Sequence, residues 1–349
     1  MKQIAIFQSD LNVGGIQKSL VNLLNSLDES REYEIDVYLN ERTNFYNLEF
    51  SDKIHIKYLN KLPYINRFIY FNILKGIVKK YKSDKKYDIA IDFSSYRNEC
   101  ALGTINCDAK KKIMWIHNDM GIKKSEEFKY KILHHFFKEK FKYFDAFVAV
   151  SDGIIDSFRK ESKMNNVPIY TMPNIINVNE ITDKSKENHD LKLDENFTNI
   201  VSMGRLCHQK GFDLLLEDFQ KALNKRKDLR LFILGDGPEK VNLEKQIKEL
   251  QLGSYVKLLG NKRNPYKYLK SMDAFVLTSR YEGQGMVLWE AKALGLQVII
   301  PKRLEKYNAG IHGVDNIVSA LCEVQRKEKI YDDLNEYNQS SLSVFDSLI

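Results

Sequence analysis

The segment "SRYEGQGMVLWEAKALG", residues 279–295, carries two carboxylates eight positions apart, Glu282 and Glu290, flanking Gly283 and Gly285. Glycines free a loop to take unusual backbone angles, and the apolar run from Met286 reads as a helix. The first amides of such a helix lack intrahelical partners, so Gly285, Met286 and Val287 can hold sugar or phosphate oxygens. Glu290 would stand a turn or so into that helix, placed to accept from vicinal hydroxyls, while Glu282 stays in the loop. Two acceptors so spaced can grip opposite ends of one phosphorylated, hydroxyl-rich ligand.

Cations that would complete such a site occur in "SMGRLCHQKGFDLL", where Arg205 and Lys210 follow a strand-like run and precede a helix. A guanidinium forks onto phosphate oxygens and an ammonium supplies a mobile point charge. A leaving diphosphate gains negative charge as its bond breaks, so fixed cations favour the transition state over the ground state. A solvated basic loop is the plain alternative, and the position at a strand end argues against it. In the first half, His117 ends the apolar run of "IMWIHNDM", where it could donate to a sugar hydroxyl or carry a proton. Asp92 in "IAIDFSS" has a similar place, although an Asp there often caps the next turn. Gly14 and Gly15 in "LNVGGIQKSL" allow a tight turn against a ligand, but match neither a dinucleotide nor a Walker fingerprint.

Paired carboxylates also serve glycoside hydrolysis, a use that leaves Arg205 and Lys210 unexplained. The chain has no D-x-D triplet to hold a metal against a diphosphate, so no metal or other cofactor is expected. Neutralisation then falls to Arg205, Lys210 and the helix amides.

The elements that must position these residues alternate along the chain. Strand-length apolar runs cover Ile4–Phe7, Ile35–Leu39, Ile54–Tyr58, Ile89–Phe93, Ile113–Ile116 and Phe147–Val150, with helix-like stretches such as 16–27 and 68–80 between them. A polar stretch interrupts the pattern, and it resumes through "NIVSMGR", "RLFILGDG", "YVKLLG", "DAFVLTS" and "LQVIIP". Continuous apolar strands alternating with helices predict two doubly wound α/β halves facing each other across a cleft, with ligands at the carboxyl ends of the strands. The boundaries expected are 1–172 for an N-terminal Rossmann-like domain, 173–196 for a linker, 197–325 for a C-terminal Rossmann-like domain and 326–349 for a helical tail.

With 349 residues, 43% hydrophobic and 29% charged, the chain can bury two cores. It has no apolar run near the length of a membrane span, and the apolar stretch in "MKQIAIFQSD" is too short for a signal peptide, so no export is expected. Four cysteines without metal-ligand spacing suit a reduced, cytoplasmic protein. The net charge of +7 favours anionic partners. "INRFIYFNILKGIVKKYKSDKK" and "KSEEFKYKILHHFFKEKFKYF" mix bulky apolar residues with lysines, as interfacial helices at an anionic membrane do and as ordinary amphipathic helices with a solvated face also do.

Together with "GGIQKSL", "WIHND", "GRLCHQKGFD", "LGDGPE" and "VKLLG", the 279–295 segment resembles the retaining glycosyltransferases of GT-B fold called family 4, especially those building bacterial capsular polysaccharides or exopolysaccharides. The resemblance spans nearly the whole chain, and the E-x7-E pattern of Glu282 and Glu290 is its most specific part. It implies that Arg205 and Lys210 bind the donor diphosphate and that Glu290 holds the nucleotide ribose. It further implies that Glu282 and the backbone at 285–287 contact donor sugar and phosphate, that His117 faces the transferred sugar, and that Gly14 and Gly15 lie near the phosphates. Metal independence and retention of anomeric configuration come with the family. Gln284 stands where many members carry Phe, Gln297 replaces a usual Pro, and "PNIIN" has Ile175 where the family has Gly, so Asn174 is given no ligand.

The expected function is transfer of a sugar from a nucleotide donor, UDP-linked rather than GDP-linked, to a lipid-linked or other glycan acceptor. The protein would associate peripherally with the inner face of the cell membrane. The alternative is a non-catalytic GT-B subunit that binds a partner enzyme or a membrane and could lose these residues without penalty. Nucleic-acid binding would rest on charge alone, since no recognition motif accompanies it.

Overall fold

The computed structural model describes the chain apart from Arg31, Thr43, Asn44, Asn47, Asn60, Lys61, residues 79–84 and Lys327. Two compact units result, one of Met1–Ile175 with Glu336–Ile349 and one of Ile176–Asn335.

The first unit holds a sheet of seven strands in the order β3-β2-β1-β4-β5-β6-β7. These are β1 Lys2–Gln8, β2 Tyr33–Leu39, β3 Ile54–Tyr58, β4 Tyr87–Asp92, β5 Ala109–Ile116, β6 Ala146–Ala149 and β7 Ile169–Thr171. Every pairing is parallel, with Ile4 of β1 opposite Ile35 on one side and Ile89 on the other. Parallel strands need crossovers that cover both faces, so Ile4, Ala5 and Ile6 in succession are wholly buried.

The second unit holds five parallel strands in the order β10-β9-β8-β11-β12. They are β8 Thr198–Met203, β9 Leu229–Leu234, β10 Val256–Gly260, β11 Ala274–Val276 and β12 Gln297–Ile299. The helix Phe212–Lys225 lays Phe212, Leu215, Leu216, Phe219 and Leu223 on this sheet at helical spacing, where they join Ile200, Leu231 and Val276 in one core.

In each sheet the order reverses once, between β1 and β4 and between β8 and β11. The loops leaving those strands diverge to opposite faces and open a crevice at the carboxyl edge. Gly14 and Gly15 follow β1, and Asp92 ends β4. The segments carrying Arg205, Lys210 and Glu282 follow β8 and β11.

Several elements differ from the sequence expectation. β7 is three residues long, too short to register as an apolar run. The expected helix over 68–80 is a 3-10 turn, Tyr64–Phe68, then extended backbone at Ile69 and Tyr70 and a helix Phe71–Ile77; its residues 79 and 80 lie outside the described ones. Helix Asn98–Asn106 buries Asn98 through Ile105 without interruption, so it carries no amphipathic period to read. Within 173–196, Val178–Ser185 is helical, its first turn capped by the Asn177 side chain accepting from the Glu180 amide at 3.0 Å. The terminal helix, Asn335–Leu348, belongs with the first unit from Glu336 onward.

Candidate functional site

Two loops at the switch point of the second sheet are stapled together. Gly211, at φ +62°, ends the turn His208–Lys210 and opens the helix Phe212–Lys225; a Cβ there would stand 2.5 Å from the Thr278 carbonyl oxygen. Thr278 Oγ1 donates to the Gly211 carbonyl at 2.9 Å, and the Arg280 amide donates to the Gln209 carbonyl at 2.8 Å. The Arg280 guanidinium forks onto Asp213, with Nη1–Oδ1 2.8 Å and Nη2–Oδ2 2.5 Å, and holds that carboxyl below its ordinary pKa. The loop after β11 is thereby fixed against the loop after β8.

These staples bring Lys210 to Glu282. The Lys210 ammonium donates to Glu282 Oε1 at 2.6 Å, and Ser279 Oγ donates to the same oxygen at 2.6 Å. Glu282 is only 5% exposed, so its charge is stabilised by these two donors rather than by bulk water. An ammonium has three donors, and the bond to Glu282 uses one. Lys210 lies over Gly204, where an added Cβ would approach its Cε to 3.3 Å, and Arg205 beside it is exposed. From β9, Gly235 presses onto the same loop: at φ +137°, a Cβ there would fall 1.9 Å from the Gly204 carbonyl oxygen.

Glu290 lies in the helix Met286–Ala293, is 6% exposed, and accepts from the Tyr266 hydroxyl at 3.1 Å. Gly285, at the start of that helix, donates its amide to Asn308 Oδ1 at 2.9 Å, and the Met286 amide reaches the Gln284 carbonyl at 3.1 Å. This differs from the expectation that both amides turn toward a ligand, because a buried helix start satisfies its amides within the protein. Val287 is half-buried in the first turn.

In the first unit His117 follows β5 and its Nε2 lies 2.7 Å from the Phe93 carbonyl oxygen, with the two rings 4.7 Å apart. A carbonyl only accepts, so Nε2 carries the proton of the neutral ring. Burial pushes the His117 pKa down to about 4, against the opposing hydrogen bond to Phe93. The one N–H of the neutral ring is thus engaged by Phe93, and Nδ1 remains as an acceptor. Asp92 is wholly buried and caps its own loop, Oδ1 accepting from the Ser94 and Ser95 amides at 3.1 and 3.0 Å. Burial raises its pKa to about 6, against the opposing charge of the buried Lys140. Gly14 is half-buried after β1, and Gly15 is exposed and begins the helix Gly15–Ser30. Asn174 closes this unit structurally, accepting from Ser19 Oγ at 2.5 Å and, through its carbonyl, from the Tyr337 hydroxyl at 3.0 Å.

Ser279 and Tyr266, which bond the two carboxylates, and Asn308, which holds the Gly285 amide, were not singled out by sequence reasoning. Ser279 stands inside the quoted motif three positions before Glu282, a spacing that could have found it. Tyr266 and Asn308 come from separate elements and leave no local signal. Among the described residues no group of three or more His, Cys, Asp or Glu is placed to hold a metal ion, and no helix is long and apolar enough to cross a membrane.

Residues 183–307 match the family model described as glycosyl transferases group 1. An uncharacterized glycosyltransferase of Methanocaldococcus jannaschii is 33% identical over 199 residues, 54% of this chain; the match spans 47% of that relative's length. An N-acetylgalactosamine-N,N'-diacetylbacillosaminyl-diphospho-undecaprenol 4-alpha-N-acetylgalactosaminyltransferase of Campylobacter jejuni is 27% identical over 96% of this chain and 89% of its own. Among solved structures, Anabaena HepE in complex with UDP superposes with a TM-score of 0.65 at 16% identity, covering 99% of this chain and 100% of that one. At that identity the likeness shows the fold alone, two parallel-sheet α/β domains of GT-B type.

Proposed function

We propose that this chain, which belongs to the glycosyl transferases group 1 family and is a glycosyltransferase, transfers a sugar from a UDP-sugar to a lipid-linked glycan during bacterial surface polysaccharide synthesis. The observation that carries the reading is the Lys210–Glu282–Ser279 cluster at the switch point of the second sheet, in which the carboxylate and the hydroxyl are buried and the ammonium is half-buried.

Lys210 and Arg205 take the donor diphosphate, where negative charge grows as the anomeric carbon–oxygen bond breaks. Glu282, oriented by Ser279 and Lys210, accepts from hydroxyls of the donor sugar. Glu290, steadied by Tyr266, accepts from the ribose hydroxyls. In the first unit, neutral His117 offers Nδ1 to a sugar hydroxyl. The acceptor oxygen bonds to the anomeric carbon on the face the diphosphate leaves, and its proton passes to a departing phosphate oxygen, so configuration is retained. The protein groups supply the charge neutralisation, and no metal is required. The acceptor class follows the diphospho-undecaprenol in the name of the Campylobacter relative, and the base follows the UDP bound by HepE. We place the protein in the cytoplasm, peripheral at the inner membrane face.

Thermal unfolding with UDP, GDP or ADP in the presence of EDTA tests the donor site. A ligand that binds only the folded state at a hundredfold excess over its Kd stabilises by about 2.7 kcal/mol. Selective stabilisation by UDP is expected. No shift with any nucleotide at millimolar concentration would overturn the donor site and favour a non-catalytic subunit.

A further inference from the structure

Fifteen large apolar side chains stand exposed among the described residues, and eight of them fall within residues 64–77 and 128–132 of the first unit. Such clustering is not what scattered surface apolar residues give. Three pieces carry them: the 3-10 turn Tyr64–Phe68, the helix Phe71–Ile77 and the helix Phe128–Phe137. On the last of these, exposed positions 128, 131, 132 and 135 form one stripe at helical spacing, while Tyr130, His134 and Phe137 are buried. The outer stripe thus sets Phe128 and Ile132 beside Lys131 and His135, opposite the buried inner face.

The pieces are continuous. Phe136 lies 6.1 Å from Phe68 and 5.0 Å from Tyr70, ring to ring, and the Tyr70 hydroxyl is 2.9 Å from His135 Nε2. The turn is held from beneath by Asn66, which is buried: its side-chain amide donates to Glu99 Oε1 at 3.1 Å, and Asn98 donates to the Asn66 carbonyl at 3.2 Å. Those partners begin the helix Asn98–Asn106 that follows β4, so the face is anchored to the carboxyl edge of the sheet.

Basic groups rim this face. Arg67 and Lys129 both lie over the Tyr64 ring, at 4.7 and 5.8 Å, and Lys75 over the Tyr143 ring at 4.5 Å. Lys131 is exposed within the stripe. Glu126 and Glu127 precede Phe128 and are the acidic counterweight, and Glu139 is paired with Lys142 at 3.0 Å. A second copy docked symmetrically here would set one basic rim against another. A surface of phosphates complements it instead.

We propose that this face seats on an anionic lipid bilayer. Ile65, Ile73, Ile77 and Phe128 enter the headgroup layer, and Arg67, Lys75, Lys129 and Lys131 meet lipid phosphates. The inference rests on the peripheral association proposed above and assigns it to one face.

The test is flotation of the full chain with phosphatidylcholine vesicles and with phosphatidylcholine–phosphatidylglycerol vesicles, at low and high salt. The same assay is run on Ile65→Ser/Phe128→Ser and on Lys129→Glu/Lys131→Glu. The UDP-induced thermal shift and circular dichroism of each variant confirm folding. Expected are flotation with the anionic vesicles, weakening at high salt, and a loss of at least about tenfold in both variants. Variants that float like the wild type would overturn this face while leaving peripheral association standing. A wild type that ignores both vesicles would overturn both, with the UDP shift reporting separately on the donor site. A concentration-dependent dimer abolished by the same substitutions, without vesicle binding, would overturn the lipid in favour of a second copy.

Discussion

The carboxyl edges of the two sheets have the same architecture and use their charged groups in opposite ways. At the second sheet, Glu282 is held by the mobile ends of two side chains, Lys210 and Ser279, which a ligand can share or displace. At the first, Asp92 caps its own backbone and His117 donates its Nε2–H to the Phe93 carbonyl, so the carboxylate oxygen Oδ1 and the ring's one donor are both spent on holding loops and only Nδ1 of the imidazole is left for a ligand. Strand-end position alone therefore does not mark chemistry. What separates the two edges is whether the partner of a buried polar group is a side chain or the main chain.

Breaking the side-chain partnership should have the largest effect. Lys210→Ala leaves Glu282 buried without its cation, and transfer should fall by about 10²–10³-fold, which a steady-state assay with a labelled UDP-sugar would read. Adding Glu282→Gln to that variant should cost much less than the two separate losses combined, since both act on one pair; additive losses would show that the pair is not a unit.

The backbone of the two edges can be compared through glycine. Gly235→Ala forces a Cβ against the Gly204 carbonyl at an unfavourable φ and should lower stability by about 3 kcal/mol. Gly15→Ala meets no atom within 4 Å at a helix start and should be neutral or stabilising by up to about 1 kcal/mol. Urea denaturation of both variants checks this contrast.

Acid sharpens the comparison from the other side. His117 is depressed to about 4 in the folded chain, below the unfolded value near 6.5, so the unfolded state takes up its proton first as pH falls. Its contribution is present above about pH 6.5 and is lost through about pH 4, roughly 2 kcal/mol of it between pH 7 and 5. Asp92, raised to about 6, works oppositely and gains stability over the same descent. The pH slope of His117→Gln should therefore be shallower than that of the wild type, or reversed. Identical slopes would mean that His117 is not buried as described.

Glu290→Gln should do less to transfer than Lys210→Ala. The amide oxygen still accepts from Tyr266 and only the charge is lost, so KM for the donor should rise by about tenfold with a smaller change in kcat.

The doubly wound architecture was legible because continuous apolar strands report burial on both faces, and the five clearest runs of the second unit all became strands. Helix Asn98–Asn106 was not, since a segment buried all round has no period. The helix Val178–Ser185 carried a signal, Asn177 three residues before Glu180, but its polar composition masked it. At the site, the residue types and their loops could be read from spacing; the pairing of Lys210 with Glu282 could not. That pairing depends on Gly211, Thr278 and the Arg280–Asp213 fork acting together across separate elements.

One consequence lies in the order of synthesis. Tyr33 donates to Asp346 at 2.5 Å, Phe345 packs 5.7 Å from the Tyr33 ring and 6.4 Å from Trp115, and Lys111 reaches the Leu348 carbonyl at 3.0 Å. All these partners sit in the last helix, which is made after the entire second unit. On the ribosome the larger sheet must wait, with Tyr33 and Trp115 lacking that cover, while the smaller unit is produced and can fold first. Nascent chains stalled before residue 336 should expose a protease-sensitive first unit attached to a resistant second one.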